Sequence, residues 1–185
     1  MLVLASNSPR RREILRAAGI DFVVRVPNIH EERRREEPPE EYVRRLAEQK
    51  AFAVPMNAGE TVLAADTTVV VDDQLLEKPR DAADAARMLA LLSGRVHEVM
   101  TGICLRTADR LVVDVAATRV RFTELTDAEI AEYVASGEPM DKAGAYAIQG
   151  LASKFIERVE GCYFNVVGLP IALVYRHLKS LNQTS

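Results

Sequence analysis

The stretch LVLASNSPRRREIL, residues 2–15, decides the class of fold. Its first four residues are apolar and stop at Ser6-Asn7-Ser8, which predicts a short buried strand followed by a tight turn. Ser8 suits the N-cap and Pro9 the first position of a helix that ends at Gly19. Phe22 to Val26 is predicted as a second strand. A strand, a turn, a helix and a strand in this order indicate an α/β protein.

The rest of the chain mixes both kinds of element. The spacing of apolar residues and a capping box at Thr126 predict further helices over Pro39 to about Val54, Asp81 to Leu92, Thr126 to about Ser136, and Pro170 to about Leu181. Alternating or continuous apolar runs predict strands over Thr61–Ala65, Thr67–Val71, Val96–Leu105, Leu111–Phe122 and Phe155–Val159. Because a β-rich stretch interrupts the alternation, we predict a mixed α/β fold rather than a purely parallel one.

Composition limits the size and the class of the protein. A chain of 185 residues that is 48% hydrophobic suits one compact domain or two small lobes around a cleft. The formal charge of -3 argues against a large nucleic-acid footprint, which requires a basic surface, but it allows a local pocket for a polyphosphate. Every apolar run falls short of the ~20 residues of a membrane span. We therefore expect no nucleic-acid or membrane partner and a cytoplasmic protein.

The turn after the first strand is a candidate anion site. Free N–H groups and the positive end of the dipole meet at a helix N-terminus, where phosphate groups bind readily. Arg10 and Arg11 lie in this first turn, although the dipole disfavours cations there, and an anionic ligand would explain them. The alternative is that Ser8 only caps the helix and the arginines are solvated. The spacing leaves both alternatives open.

Asp66 is a candidate for metal binding or proton transfer. It is predicted to end a buried strand, at the edge of the sheet where α/β proteins often place their sites. A carboxylate there can bind Mg²⁺ or accept a proton from water. Lys78, which precedes Pro79 and the next predicted helix, is a candidate phosphate ligand. The alternatives are a turn-starting aspartate and a surface lysine.

The segment GEPMDKAGAYAIQG, residues 137–150, is a long irregular loop. Glycine, proline and charged residues alternate with apolar ones, and ordered loops of this length are often functional. An ordinary surface loop is the alternative.

Taken together, these segments resemble the Maf family, which has Ser-x-Ser-Pro-Arg-Arg near the start, then Ala-Asp-Thr, Glu-Lys-Pro, Leu-Ser-Gly-x-x-His, and the Asp-Lys-Ala-Gly-Ala-Tyr loop. The resemblance spans almost the whole chain and implies a single domain over residues 1–185. It implies a mixed twisted sheet with flanking helices, similar to inosine-triphosphate pyrophosphatases, in an elongated domain with two lobes around a central cleft. It also implies hydrolysis of nucleoside triphosphates between the α and β phosphorus atoms with a divalent cation, Mg²⁺ or Mn²⁺.

The resemblance assigns roles to particular residues. Substrate binding is implied for Ser8, Arg10, Arg11, Lys50, Lys78, Asp141 and Lys142. Asp66 is the implied catalytic base, and Asp66 and Glu31 are the implied metal ligands, with Glu32 as the alternative to Glu31. Arg11, Thr67 and Gln149 match the branch that acts on dTTP and UTP. An amide at Gln149 can pair with the donor and acceptor edge of uracil or thymine.

Three alternatives remain open at this stage. A carboxylate that binds metal is a weaker base, so the two roles of Asp66 compete. The chain could belong to the branch that acts on 7-methyl-GTP, or it could be a nucleotide-binding regulator of septum formation and cell division with weak turnover. The sequence also leaves the oligomeric state open, with a homodimer as one alternative.

Overall fold

The computed structural model describes residues 1–182, which contain both strands and helices. The first elements are β1 (Leu2–Ala5), α1 (Pro9–Ala17), β2 (Phe22–Val24) and α2 (Pro39–Phe52). They are followed by β3 (Thr61–Val71), β4 (Gln74–Leu76), α3 (Ala82–Leu92), β5 (Val96–Arg106) and β6 (Leu111–Phe122). The last are α4 (Asp127–Ala135), β7 (Ile156–Glu160), α5 (Tyr163–Val167) and α6 (Ile171–Asn182). Three short 3-10 turns lie at Glu138–Asp141, Ala143–Ala145 and Leu151–Phe155.

The strands form a mixed sheet. Its order is β2-β1-β3-β5-β6-β7, and β4 pairs with β3. β1 is parallel to both of its neighbours, with Leu2 opposite Phe22 on one side and Thr61 on the other. β3 and β4 are antiparallel, as are β6 and β7. The predicted mixed α/β fold with flanking helices is therefore confirmed.

The predicted break in the strand at Asp66 is wrong, whereas the predicted extended segment Thr67–Val71 is confirmed. β3 continues without interruption through Asp66 to Val71. The residues after Asp66 are mostly β-branched and favour extended backbone. They also pair with β4 in a hairpin whose turn residues, Asp72 and Asp73, both have positive φ. β1 ends opposite Ala64, so Asp66 lies two residues past the last β1 pair on β3 rather than at a turn.

The two helix caps predicted from the sequence are confirmed. Ser8 is the N-cap of α1, and its side chain accepts a hydrogen bond from the Arg11 N–H. Thr126 and Glu129 form the predicted capping box of α4, which joins each side chain to the other residue's backbone N–H. β4 and α5 were not predicted. Both are too short to give a clear apolar period.

The chain divides into two compact units. Unit 1 comprises Met1–Asp66, Thr101–Ala116 and the described chain from Gly168 onward, and unit 2 comprises Thr67–Met100 and Ala117–Val167. The predicted arrangement of two lobes around a cleft stays a prediction.

The core of unit 1 lies between its parallel strands and α2. Buried apolar residues from both elements form it: Val3, Ala5, Val62 and Ala64 from the strands, and Ala47 and Ala51 from α2. Gly102 of β5 is needed for this packing because a Cβ there would lie 2.3 Å from the carbonyl oxygen of Val43. These contacts fix α2 against the sheet and turn Lys50, one helical turn after Leu46, toward the interior, where it is buried.

Unit 2 has a core that contains a buried histidine. His97 Nε2 lies 2.8 Å from the Tyr146 hydroxyl, and the His97, Phe122 and Tyr146 rings pack edge to face. Burial lowers the pKa of His97 to about 4, so the imidazole is neutral at physiological pH. This contact joins the Leu-Ser-Gly-x-x-His segment to the loop at residues 137–150. Within that loop Ala145 has a φ of 60°, a left-handed conformation that is costly for a residue with a Cβ.

Candidate active site

The turn between β1 and α1 is built around two serine hydroxyls. Ser8 Oγ accepts from the Arg11 N–H at 3.4 Å. Ser6 Oγ accepts from the Ser8 N–H at 3.2 Å and from Arg11 Nη1 at 3.2 Å. The hydroxyls thus fix the backbone of the first helical turn and one edge of the Arg11 guanidinium. Arg10, in the same turn, is half-buried.

Arg11 is held in place rather than solvated. Its Nε donates to the carbonyl oxygen of Gly168 at 2.8 Å, which ties α1 to the residues just before α6. Burial lowers the pKa of Arg11 and the neighbouring Arg10 lowers it further, whereas Asp66 and Glu31 act in the opposite direction. Arginine stays charged in proteins even so. The result is a fixed cation that lies close to two carboxylates.

Lys50, Asp66 and Glu31 form a compact charged cluster. Lys50 Nζ lies 2.5 Å from Oδ1 of Asp66 and 2.8 Å from Oε1 of Glu31. Lys50 and Asp66 are buried, whereas the side chain of Glu31 is 44% exposed. The exposed Glu32 side chain lies 3.8 Å from His30 instead. Of the two neighbouring glutamates, the structure therefore brings Glu31 to Lys50.

The environment of Asp66 raises its pKa above the ordinary value of an aspartate. Burial raises the pKa of Asp66, and this effect exceeds the opposing influence of Lys50 and Arg11, while Glu31 raises it as well. A carboxylate that is buried among two cations and a second carboxylate is the kind of perturbed group that is concentrated at functional sites. The cluster can therefore neutralise an anion and exchange a proton in the same place.

The remaining predicted residues belong to unit 2. Thr67, the residue after Asp66 on β3, is half-buried, and Lys78 is exposed between β4 and α3. Lys142 Nζ donates to the carbonyl oxygen of Glu138 at 2.6 Å and to Oδ1 of Asp141 at 2.5 Å, so these two predicted residues form a pair. Gln149 is exposed in a turn of the loop.

A comparison with known protein families identifies the family of this chain. A family model described as Maf-like protein matches residues 1–181. The chain belongs to the Maf family. It is 51% identical over 179 residues to a Koribacter versatilis protein named dTTP/UTP pyrophosphatase, an alignment that covers 96% of this chain and 93% of the relative.

Two other relatives carry the same name. A protein of Anaeromyxobacter dehalogenans strain 2CP-C is 55% identical over 175 residues, which is 92% of this chain and 89% of that protein. A Vibrio cholerae protein is 51% identical over 172 residues, which is 92% of each chain. Within residues 1–182, this Maf protein has no helix that combines the length and the apolar character needed to cross a membrane.

The carboxylates of this Maf protein fit part of a divalent-cation site. Asp66 and Glu31 provide oxygen donors, which Mg²⁺ and Mn²⁺ prefer, and one oxygen of each contacts the same ammonium group. Within the described residues, no group of three or more His, Cys, Asp or Glu side chains is arranged to hold a metal. The two carboxylates thus suit a cation that takes its other ligands from phosphates and water, as Mg²⁺ commonly does.

Two groups at this Maf site were not predicted. Ser6 opens the Ser-x-Ser segment, and the sequence assigns it no role, although its hydroxyl contacts both Ser8 and Arg11. The Gly168 carbonyl is 157 residues away from Arg11 in the chain. Ser6 could have been predicted, because its hydroxyl lies two residues before the predicted N-cap. The Gly168 carbonyl could not, because no sequence pattern links a backbone carbonyl to a residue 157 positions away.

Proposed function

We propose that this Maf protein is a nucleoside triphosphate pyrophosphatase that hydrolyses dTTP and UTP to the monophosphate and pyrophosphate. The identity of about half of all residues to relatives named dTTP/UTP pyrophosphatase, across more than nine-tenths of the chain, carries this proposal. The Lys50, Asp66 and Glu31 cluster beside Arg11 supports it with suitable chemistry. Because its substrates are cytoplasmic metabolites, we propose the cytoplasm as its location.

The cations of unit 1 would neutralise the triphosphate. Arg11 presents a guanidinium that Ser6 and Gly168 already orient, so little side-chain entropy is lost when a phosphate binds. The first turn of α1 adds backbone N–H groups and the positive end of the dipole. Arg10 and Ser8 would contribute further donors there, and Lys50 a second fixed cation. Charge neutralisation of this kind is the main requirement of phosphoryl-transfer chemistry.

Asp66 would accept the proton of the attacking water. The water oxygen forms a bond to the α phosphorus, the bond from that phosphorus to the bridging oxygen breaks, and pyrophosphate leaves. A raised pKa suits this role because a base is most effective when its pKa approaches the working pH. Lys50, at 2.5 Å from Oδ1, fixes the orientation of the carboxylate.

Glu31 and Asp66 would hold the divalent cation. When bound, Mg²⁺ or Mn²⁺ supplies charge neutralisation and polarises phosphate oxygens. In unit 2, we propose that Lys78, Asp141 and Lys142 contact the substrate. We further propose that Thr67 and Gln149, together with Arg11, select the base. The exposed amide of Gln149 supports this role because it has both a donor and an acceptor to offer a pyrimidine edge.

The test is pyrophosphate release across a panel of nucleoside triphosphates, with Mg²⁺ and with Mn²⁺. We expect dTTP and UTP to give the highest kcat/KM and chelation of the metal to abolish turnover. Preference for 7-methyl-GTP would contradict the base assignment but not the reaction. Tight nucleotide binding with negligible turnover on every substrate would contradict the enzyme and favour a nucleotide-binding regulator.

A further inference from the structure

The turn that carries Gln149 has to be rigid if that residue is to select a base. Gln149 is the third residue of a turn from Ala147 to Gly150, which is closed by the Gly150 N–H donating to the Ala147 carbonyl oxygen at 3.1 Å. Its side chain is exposed, and the backbone of the turn sets the position from which the amide can reach a base. A recognition group must be held to about half an ångström to be effective.

Tyr133 of α4 holds one side of this turn. Its hydroxyl accepts from the Ala147 N–H at 3.2 Å and donates to Oε1 of Glu138 at 2.8 Å. Tyr133 is 2% exposed, and its ring packs edge to face on Phe155. Burial raises the pKa of Tyr133, and the hydrogen bond to Glu138 raises it further. The hydroxyl therefore stays protonated and keeps both hydrogen bonds over the physiological range.

Glu138 holds the other side. Its second oxygen, Oε2, accepts from the Leu151 N–H at 3.1 Å. The residues two before and two after Gln149 are thus tied through their backbone N–H groups to one Tyr133–Glu138 pair. We call this pair and its two backbone hydrogen bonds the Tyr133–Glu138 clasp.

Gly150 makes the close approach of Glu138 feasible. A Cβ at Gly150 would lie 2.3 Å from both carboxylate oxygens of Glu138. The φ of Gly150 is −106°, which any residue can adopt, so backbone conformation does not require a glycine. What excludes a side chain here is the space that the carboxylate occupies. The turn, the clasp and the glycine therefore depend on one another.

We propose that Tyr133 and Glu138 are positioning residues for base selection, which hold the turn so that the Gln149 amide meets the edge of the pyrimidine. The proposal rests on the proposed function. It extends the set of residues that determine specificity to two side chains that do not contact the substrate. Their effect passes through the backbone of residues 147–151.

The experiment compares kcat/KM for UTP and for ATP in Tyr133→Phe and Gly150→Ala. Tyr133→Phe removes one hydroxyl and keeps the ring, whereas Gly150→Ala displaces Glu138 without removing any polar group. We expect each to lower the UTP-to-ATP ratio by about 5- to 10-fold, the effect of about one misplaced hydrogen bond. Tyr175→Phe is the matched control because Tyr175 is exposed on α6 in unit 1. It should leave the ratio unchanged.

A double-mutant cycle identifies the route of the effect. If the clasp acts through Gln149, Tyr133→Phe should change the ratio no further in a Gln149→Ala background. Full additivity, or an equal loss on UTP and ATP with only a lower Tm, would overturn the proposal. The wild-type ratio tests the proposed function separately. A wild type without preference for UTP contradicts that function, whereas an unchanged ratio in Tyr133→Phe of a UTP-preferring enzyme contradicts the clasp.

Discussion

The Nζ atom of Lys50 lies 2.5 Å from Oδ1 of Asp66, and both side chains are buried. A buried ion pair is a poor source of stability, because removing both charges from water costs about as much as their attraction returns. Its presence at the junction of α2 and β3, with Glu31 on the same ammonium, is better explained by function.

Asp66→Asn should lower kcat by about 10²- to 10⁴-fold, the usual contribution of a positioned general base. The amide keeps the shape of the carboxylate but cannot accept the proton. Steady-state pyrophosphate release with UTP measures the loss. Binding of Mn²⁺, followed by its electron paramagnetic resonance signal, separates the two proposed roles, because a ligand to the cation also loses affinity when its charge is removed.

Asp73→Asn is the control for this change. Asp73 is exposed in the β3–β4 turn at a φ of 62°, a conformation that asparagine tolerates well. The turnover of the Asp73→Asn variant should match that of the wild type. Near-normal kcat in a folded Asp66→Asn protein would remove Asp66 from both roles.

Arg11→Ala should lower kcat/KM for UTP by roughly 10- to 100-fold, since hydrogen bonds to charged groups contribute a few kcal/mol at most. Arg16→Ala, five residues further along α1 and exposed, should have no comparable effect. Lys78→Ala tests the proposed phosphate contact of unit 2 in the same assay. Wild-type kinetics in both Arg11→Ala and Lys78→Ala would mean that phosphate binds elsewhere.

Local signals predicted the elements whose stability is local. The start of α1 at Ser8-Pro9 and the capping box at Thr126 were both correct, since caps act over three or four residues. The sequence predicts two extended segments, Thr61–Ala65 and Thr67–Val71, because the charged Asp66 interrupts an apolar run. The structure joins them into one strand, whose second half pairs with β4.

The same distinction between local signals and contacts between distant segments applies to the candidate site. Lys50 is a candidate only through the resemblance to the Maf family, whereas Asp66 is also a candidate from its position after an apolar run. Spacing alone could not have paired them, because α2 and β3 meet only through the packing of unit 1. Glu31 lies outside any regular element, and only the structure separates it from Glu32. The clasp formed by Tyr133 and Glu138 likewise depends on how the loop folds back onto α4.

Glu60→Gln should make the thermal stability of the protein less dependent on pH in the acidic range. Arg25 donates to both oxygens of Glu60 at 2.6 and 2.7 Å, and Asn57 adds backbone and side-chain hydrogen bonds. Together they lower the pKa of Glu60 to about 2 from an ordinary 4.5. A carboxyl group whose pKa is lower in the folded protein than in the unfolded chain stabilises the fold at any pH above the unfolded pKa. This stabilisation is lost as the pH falls through the folded pKa.

The difference in Tm between wild type and Glu60→Gln should therefore be largest near neutral pH and shrink between about 4.5 and about 2. Glu40→Gln is the control, because its partner Arg44 is on the same exposed helix face and such pairs contribute little. A constant Tm difference across this range would mean that the Glu60 carboxylate is not coupled to folding.

Gln149→Glu should lower the cleavage of UTP selectively. A carboxylate cannot donate to a carbonyl oxygen of uracil, so one polar pair at the base edge is lost and an unpaired acceptor remains, whereas ATP has no partner there to lose. We expect the ratio of kcat/KM for UTP to that for ATP to fall by about 10-fold. The added negative charge repels every triphosphate alike, so it lowers both values and cancels in the ratio. Gln74→Glu, the same change at an exposed position of β4, should leave the ratio intact. An equal loss on both nucleotides in Gln149→Glu would show that Gln149 supports the loop instead of selecting the base.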